Sequence, residues 1–398
     1  QWNAIIFRHM NRIYLDYSAT TPLDPGVLEA MVSVFSSTFG NASSVHSFGR
    51  EARAVLEGSR ESVARSIGAR PDEVFFTSGG TEADNHAIKG LAGAGARKGK
   101  NEIVTSAVEH HAVLLPVEAL QKAGFDVKFV PVDGFGRVDP ADVKKALSSK
   151  TALVSLMYAN NEIGTLNDIR TIGAIAREAG VPLHSDTVQA AGKIAVDVNE
   201  LNVDVLSISA HKFYGPKGIG AIYIRKGTQI DSFVEGGAQE SNRRAGTENV
   251  PLAVGFAKAS ELGQESLQHN LSHVIGLKDH LRILLESQFK GVLFNGHPTD
   301  CLPHILNISF DSSVAALDGD ALIMGMDLRG VAVTSGSACT SGSLQASHVL
   351  LAIGRNERTA RSTIRFSLGR DTTTQELDFA VAALKEVVGT AQKAGASG

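Results

Sequence analysis

Seven short runs rich in apolar and β-branched residues constrain this chain most: "EVFFTS", "EIVTS", "DVKFVPV", "ALVSLMYA", "VPLHSD", "DVLSISAH" and "GAIYIRK". Segments of helical period lie between several of them. "DPADVKKAL" places Asp139 as N-cap and Pro140 at the first helical position. "DIRTIGAIAREAG" ends on Gly180 as a C-cap. Apolar runs bounded by turns and separated by helices predict an α/β fold with a mostly parallel seven-stranded sheet, covered on both faces. A long helical pattern from about Pro251 to Gln288 reads as a connector. Beyond it come "HILNISF", a helix near Ala321–Leu328, "VAVTSG", a helix near Gln345–Ile353, "STIRFSLG" and a last helix from Gln375. These elements predict a second, smaller α+β domain.

Charge excludes some function classes. The 398 residues hold 38 Lys and Arg against 42 Asp and Glu, which leaves no electrostatic footprint for nucleic acid or an anionic membrane. Two cysteines far apart make neither a disulfide framework nor a metal-ligand cluster, so we expect no metal and a reducing, cytoplasmic setting. The opening "QWNAIIFRHMN" has an apolar run of four residues, Ala4 to Phe7, too short for a signal-peptide core. Met10 directly precedes the first strand-like run, so residues 1–9 read as a leader or a different start. No apolar run approaches the roughly 20 residues that span a bilayer.

Four features carry chemistry. "SISAHKFYGPKGIGA" puts Lys212 just past a buried strand, where open α/β sheets place their ligands. Ser209 and His211 flank it with hydrogen-bonding groups. "HSDTVQA" sets Asp186 and Gln189 at the end of another strand. "FFTSGGTEADNHAI" runs strand, Gly79-Gly80, then Thr81 opening a helix, which aims backbone N–H groups and the helix dipole at an anion such as phosphate. A phosphate cradle, an amine nucleophile and a buried acid together match the needs of pyridoxal 5'-phosphate. A dinucleotide does not fit, since no strand is followed by G-x-G-x-x-G. In "VTSGSACTSGS", Cys339 sits among glycines and serines that leave it mobile and reachable, unlike a buried structural cysteine.

The stretches "YLDYSATTP", "FGNASSVHSFG", "TSGGTEADN", "EHHAVL", "YANNEIGT", "HSDTVQA", "SAHKFYGPKG", "RRAGTENV", "SGSACTSGS" and "IRFSLGR" run in order from about residue 13 to 371. In this the chain resembles the NifS/IscS-like cysteine desulfurases, class-V aminotransferase-like enzymes of the fold-type I pyridoxal-phosphate group. The resemblance implies a large cofactor-binding domain over 16–262 and a small domain over 1–15 and 263–398 that carries the Cys339 loop. It implies that Lys212 holds the cofactor and that His110 stacks on its ring and moves protons. Asp186 would meet the ring nitrogen and Gln189 the ring hydroxyl. Gly80, Thr81, Ser209 and His211 would hold the phosphate, with Thr247 reaching it across the interface of a homodimer. Asn161 and Arg365 would lie near the substrate carboxylate. Taken singly, Thr81 is also an N-cap, Asn161 a turn amide and Arg365 a surface ion pair.

The implied activity converts L-cysteine to L-alanine and leaves the sulfur on Cys339 as a persulfide, for an iron–sulfur scaffold or another acceptor protein. His46 is expected at the entrance without chemistry, His111 as structural or exposed, and Cys301 as a packed bystander. Ala42 and Gln345-Ala346 depart from the family pattern, and "ALKEVVGTAQKAGASG" lacks the tail of housekeeping members, which favours a NifS-type or specialised enzyme. The rivals are an aminotransferase or selenocysteine lyase of the same fold, and a silent sulfur carrier.

Overall fold

The computed structural model describes residues 12–314, 317–336 and 346–396. Cys339, and the leader expected over residues 1–9, lie outside the described residues. The seven apolar runs form one sheet: β2 (Val74–Thr77), β3 (Glu102–Ser106), β4 (Asp126–Val130), β5 (Thr151–Ser155), β6 (Leu183–Asp186), β7 (Val205–Ser209) and β8 (Gly220–Ile224). Their order is β2-β8-β7-β6-β5-β3-β4. Strands β4, β3, β5, β6 and β7 run parallel; β8 is antiparallel to both of its neighbours. Every residue of β3, β5, β6 and β7 is buried, as a sheet covered on both faces requires.

Helices cover both faces, among them α1 (Pro25–Ser37), α2 (Ser47–Ser66), α3 (Gly80–Ala96) and α4 (His111–Lys122). Local chemistry sets their starts. Asp24 Oδ1 accepts from the Gly26 amide at 2.7 Å, and Asp139 Oδ1 from the Ala141 amide at 2.8 Å, both ahead of a proline. The helix Ile169–Glu178 ends as predicted, with Gly180 at φ 64°.

The helix Val250–Gln288 joins two hydrophobic cores. Val250, Ala253, Phe256 and Ala257 pack in the core of the large sheet, whereas Val274, Leu277, Leu281 and Leu285 pack in a second core. Its 39 residues span about 58 Å, enough to reach both. The second core covers an antiparallel sheet of β9 (Val292–Phe294), β10 (Ile305–Phe310) and β12 (Thr363–Ser367). Ile13 and Leu15 also belong to it, through a parallel pairing of β1 (Ile13–Tyr14) with β11 (Val331–Ala332). "VAVTSG" thus yields a strand of only two residues on β1, and beyond it Thr334 makes only a single bridge to Arg365 of β12. Among the described residues no helix is long and apolar enough to cross a membrane.

Candidate active site

A cavity of about 280 Å³ opens at the carboxyl ends of β5, β6 and β7. Lys212, His110, Asp186, Gln189, Ser209, His211, Gly80, Thr81, Asn161 and Arg365 all line it. Thr247 does not; it is exposed on the segment before the long helix.

Lys212 closes a single 3₁₀ turn, Ala210–Lys212, directly after β7. Its Nζ donates to the Ser18 carbonyl at 2.7 Å and the Ala19 carbonyl at 2.9 Å. Burial first, and then the Arg365 guanidinium, pull its pKa down to about 8. An amine with that pKa is about one-tenth neutral at pH 7, hundreds of times more than an ordinary lysine, and the neutral form is the nucleophile.

Asp186 ends β6, and its Oδ1 accepts from the Val188 amide at 2.8 Å. Burial, followed by the charge of Asp84, pushes its pKa up to about 7. Gln189 Nε2 donates to the Ser18 carbonyl at 2.9 Å, so that one carbonyl holds both the glutamine and the lysine. His110 precedes α4, and its Nδ1 accepts from the Ala112 amide at 3.1 Å. That bond fixes the neutral tautomer with hydrogen on Nε2. Burial, and then Lys212, hold its pKa down to about 4. His211 is likewise lowered to about 4 by burial, with Nδ1 3.1 Å from Thr20 Oγ1.

The strand–Gly-Gly–helix turn sits against β7. Gly79 adopts φ 157° and ψ −179°, a region open essentially to glycine alone. A Cβ on Gly80 would lie 2.6 Å from Val188 Cγ2. Gly80 and Thr81, the first residues of α3, line the cavity, and the positive end of the helix dipole there suits an anion.

Arg365, on β12, crosses from the second core. It donates through Nη2 to Asp16 Oδ1 and through Nη1 to the backbone carbonyl of Asn161, each at 2.7 Å. Its buried Nε has no hydrogen-bond partner among the described residues. Asn161 thus meets Arg365 through its carbonyl.

His46 Nδ1 caps α2 by accepting from the Gly49 amide at 3.2 Å, and it does not line the cavity. His111 is exposed yet lines the cavity, its ring 4.9 Å from that of His348. Cys301 is half-buried and accepts from Lys278 Nζ at 2.9 Å. Sequence reasoning missed Ser18, Ala19, Asp84, Glu162, Thr334 and His348, which also line the cavity. A signal existed for Asp84: with Ile88 and Leu91 it keeps an i, i+4, i+7 spacing, which sets an acid on the buried face of α3.

A lysine, a buried carboxyl and an anion-binding turn around one cavity define a pyridoxal-phosphate enzyme. The chain belongs to the class-V aminotransferase family, whose profile matches residues 13–379. It is similar to the cysteine desulfurase IscS of Dictyoglomus turgidum, with 49% identity over 376 residues and 94% of each chain covered. A solved NifS-like protein superposes with a TM-score of 0.88 at 37% identity, over 95% of this chain and 100% of that one. The structure titled "SspA in complex with cysteine" gives a TM-score of 0.79 at 34% identity, over 91% and 100% of the two chains.

The residues present fit pyridoxal phosphate. The helix start at Gly80 and Thr81 suits a phosphate, Asp186 suits a protonated ring nitrogen, and the Lys212 amine suits an aldehyde. The unpartnered Nε of Arg365 suits a carboxylate.

Proposed function

We propose that this protein is a cysteine desulfurase that converts L-cysteine to L-alanine and passes the sulfur to an acceptor. The observation that carries this reading is the convergence of Lys212, Asp186 and Arg365 on one cavity. Bound pyridoxal phosphate supplies an aldehyde for amines and a ring that accepts electrons from a carbanion.

In this reading Gly80, Thr81, Ser209 and His211 hold the phosphate, and His211 does so as a neutral donor. Asp186 would hold the ring nitrogen in its protonated form and Gln189 would bind the ring hydroxyl. Lys212, whose Nζ rests on the Ser18 and Ala19 carbonyls, would hold the cofactor through its amine, and the same amine would serve as the base for the substrate's α-proton. Arg365 clamps the substrate carboxylate beside Asn161. His110 lines the same cavity and, with hydrogen on Nε2, would pack against the cofactor and serve as a proton donor there. The Cys339 thiolate attacks the substrate sulfur: an S–S bond forms while the Cβ–S bond breaks. The electron pair stays on carbon, which takes up a proton and leaves as alanine.

We also infer a homodimer. Leu28, Val32 and Phe35 repeat at i, i+4 and i+7 on α1 and are exposed, as are Phe39, Val45 and Phe48 beside them. Phe39 is 78% and Val45 89% exposed, so this face suits burial against a second copy, with Thr247 reaching that copy's cavity. We infer a large domain over 16–262 and a small one over 1–15 with 263–398; the membership of Ile13, Leu15, Val274 and later residues in the second core supports this, although Leu302 and Ile305 pack in the core of the large sheet. An iron–sulfur scaffold or another sulfur-acceptor protein, in the cytoplasm, would take the persulfide.

The test is to incubate the purified protein with L-cysteine and a reductant and to assay alanine and sulfide together. Equal yields of both support the reading. Pyruvate without alanine, or turnover of selenocysteine alone, would replace it.

A further inference from the structure

Residues 240–242 make an unusual run. Glu240, Ser241 and Asn242 have φ of 45°, 55° and 62°, three successive non-glycine residues in the left-handed region. Such backbone is costly and persists only where its surroundings over-determine it. Here they do. The buried Glu240 carboxylate receives both terminal nitrogens of Arg60, at 2.6 and 2.8 Å. Its Oε2 also accepts the amide of Phe76 at 2.8 Å, an amide on the outer side of edge strand β2. Arg60 is fixed in turn by the Val74 carbonyl at 2.9 Å and lies over the Phe76 ring.

The same segment makes a second attachment four residues on. Arg244 Nε donates to Glu82 Oε1 at 2.8 Å, and Nη2 to Glu82 Oε2 at 3.3 Å. Glu82 lies in the first turn of α3, and its Oε2 also accepts the Ser78 amide at 3.0 Å. Phe76 and Glu82 bracket the turn that contains Gly79, Gly80 and Thr81. One short segment therefore grips the strand end and the helix start on either side of that turn.

We propose that residues 240–244 form a clamp that preorganises the anion cradle, with Glu240 and Arg244 as positioning residues that never touch the anion. The left-handed run sets the span between the two grips. A glycine-containing turn without such a grip samples many conformations, and its affinity falls with the fraction that is competent to bind. The proposal rests on the reading that Gly80 and Thr81 hold the cofactor phosphate.

The experiment uses the apoprotein and measures dissociation constants for pyridoxal 5'-phosphate and for pyridoxal by equilibrium dialysis. Arg244→Gln removes the half-exposed grip without disturbing a core. It weakens pyridoxal phosphate about tenfold, as a tenfold loss of competent population would, and leaves pyridoxal unchanged. Glu240→Gln acts in the same direction. Adding Ser241→Gly to Glu240→Gln recovers most of the loss, because glycine adopts the left-handed turn without a grip to enforce it. Unchanged pyridoxal phosphate affinity in Arg244→Gln, or an equal loss for pyridoxal, overturns the clamp. A wild-type protein that binds the two probes equally would instead overturn the cradle assignment itself.

Discussion

Arg365 and Asp16 are joined at 2.7 Å, a β12 guanidinium on a carboxylate two residues beyond β1 that itself bridges to Ser367 of β12. That pairing fixes the plane of the guanidinium before any carboxylate arrives. A lysine in its place keeps the charge and loses the planar fork. Arg365→Lys is therefore expected to lower kcat/KM for L-cysteine by about 10- to 100-fold. The absorbance of the bound cofactor should stay as in the wild type. Loss of cofactor in this variant would move Arg365 to a different role.

Lys212 makes the stability of the apoprotein depend on pH. Its folded pKa is about 8, whereas an unfolded lysine titrates near about 10.4. Between those values the unfolded chain holds a proton that the folded chain has released, so stability rises with pH across that window. Below about 8 the buried charge costs stability in full. Lys212→Met removes it and should make the apoprotein more stable at pH 7 by on the order of 2 kcal/mol, with the gap closing towards pH 10.5. Urea denaturation at pH 7 and pH 10 measures the difference.

Asp84 stands behind Asp186 in a buried network. His184 Nε2 lies 3.4 Å from Asp84 Oδ1 and 3.0 Å from Ser207 Oγ, and its Nδ1 is 2.9 Å from Ser155 Oγ. Burial raises Asp84 to about 7, and Asp84 in turn raises Asp186. Asp84→Asn removes the like charge, so Asp186 ionises at lower pH. The pH profile of pyridoxal-phosphate affinity should then move towards acid by about one unit. A profile that does not move would separate the two carboxyls.

The exposed apolar face of α1 bears on assembly. Phe35→Asp places a charge where a second copy would pack, and should shift the protein towards monomer in sedimentation velocity. Cofactor retention should fall with it, as Thr247 is withdrawn from the other cavity. A dimer unchanged by Phe35→Asp would move the interface elsewhere.

Cys339 and Cys301 provide a matched pair. Cys339→Ala should still change its visible spectrum on adding L-cysteine, yet release almost no alanine or sulfide. Cys301→Ala should behave like the wild type. Sulfide release at the wild-type rate from Cys339→Ala would argue for elimination without a protein nucleophile.

Much of this was legible in the sequence, for physical reasons that also explain the gaps. β3, β5, β6 and β7 are buried at every position and show as short runs of apolar and β-branched residues bounded by turns, so their positions could be read directly. The direction of β8 could not, because "GAIYIRK" looks the same run either way. Lys212, Asp186 and Gly80 stood out because each lies at or just past a strand end. Ser18 and Ala19 act through backbone carbonyls, which carry no side-chain signature. The Glu240–Arg60 pair joins positions 180 residues apart, and its meaning depends on a backbone conformation that residue types alone do not announce.

The reversal of β8 has a consequence for how firmly the reacting amine is held. Two parallel strands need a crossover that carries the chain to the far end of the sheet and back. Antiparallel β7 and β8 instead pair from Val205 with Ile224 to Ser209 with Gly220, so residues 210–219 leave and return at a single rim. Within them the Ala210 amide donates to Ile219 and the Gly215 amide to Ala210, which closes the loop on itself. Lys212 is thereby anchored on both sides within a few residues. When its side chain lets go of one partner and takes another, only the four-carbon arm has to move.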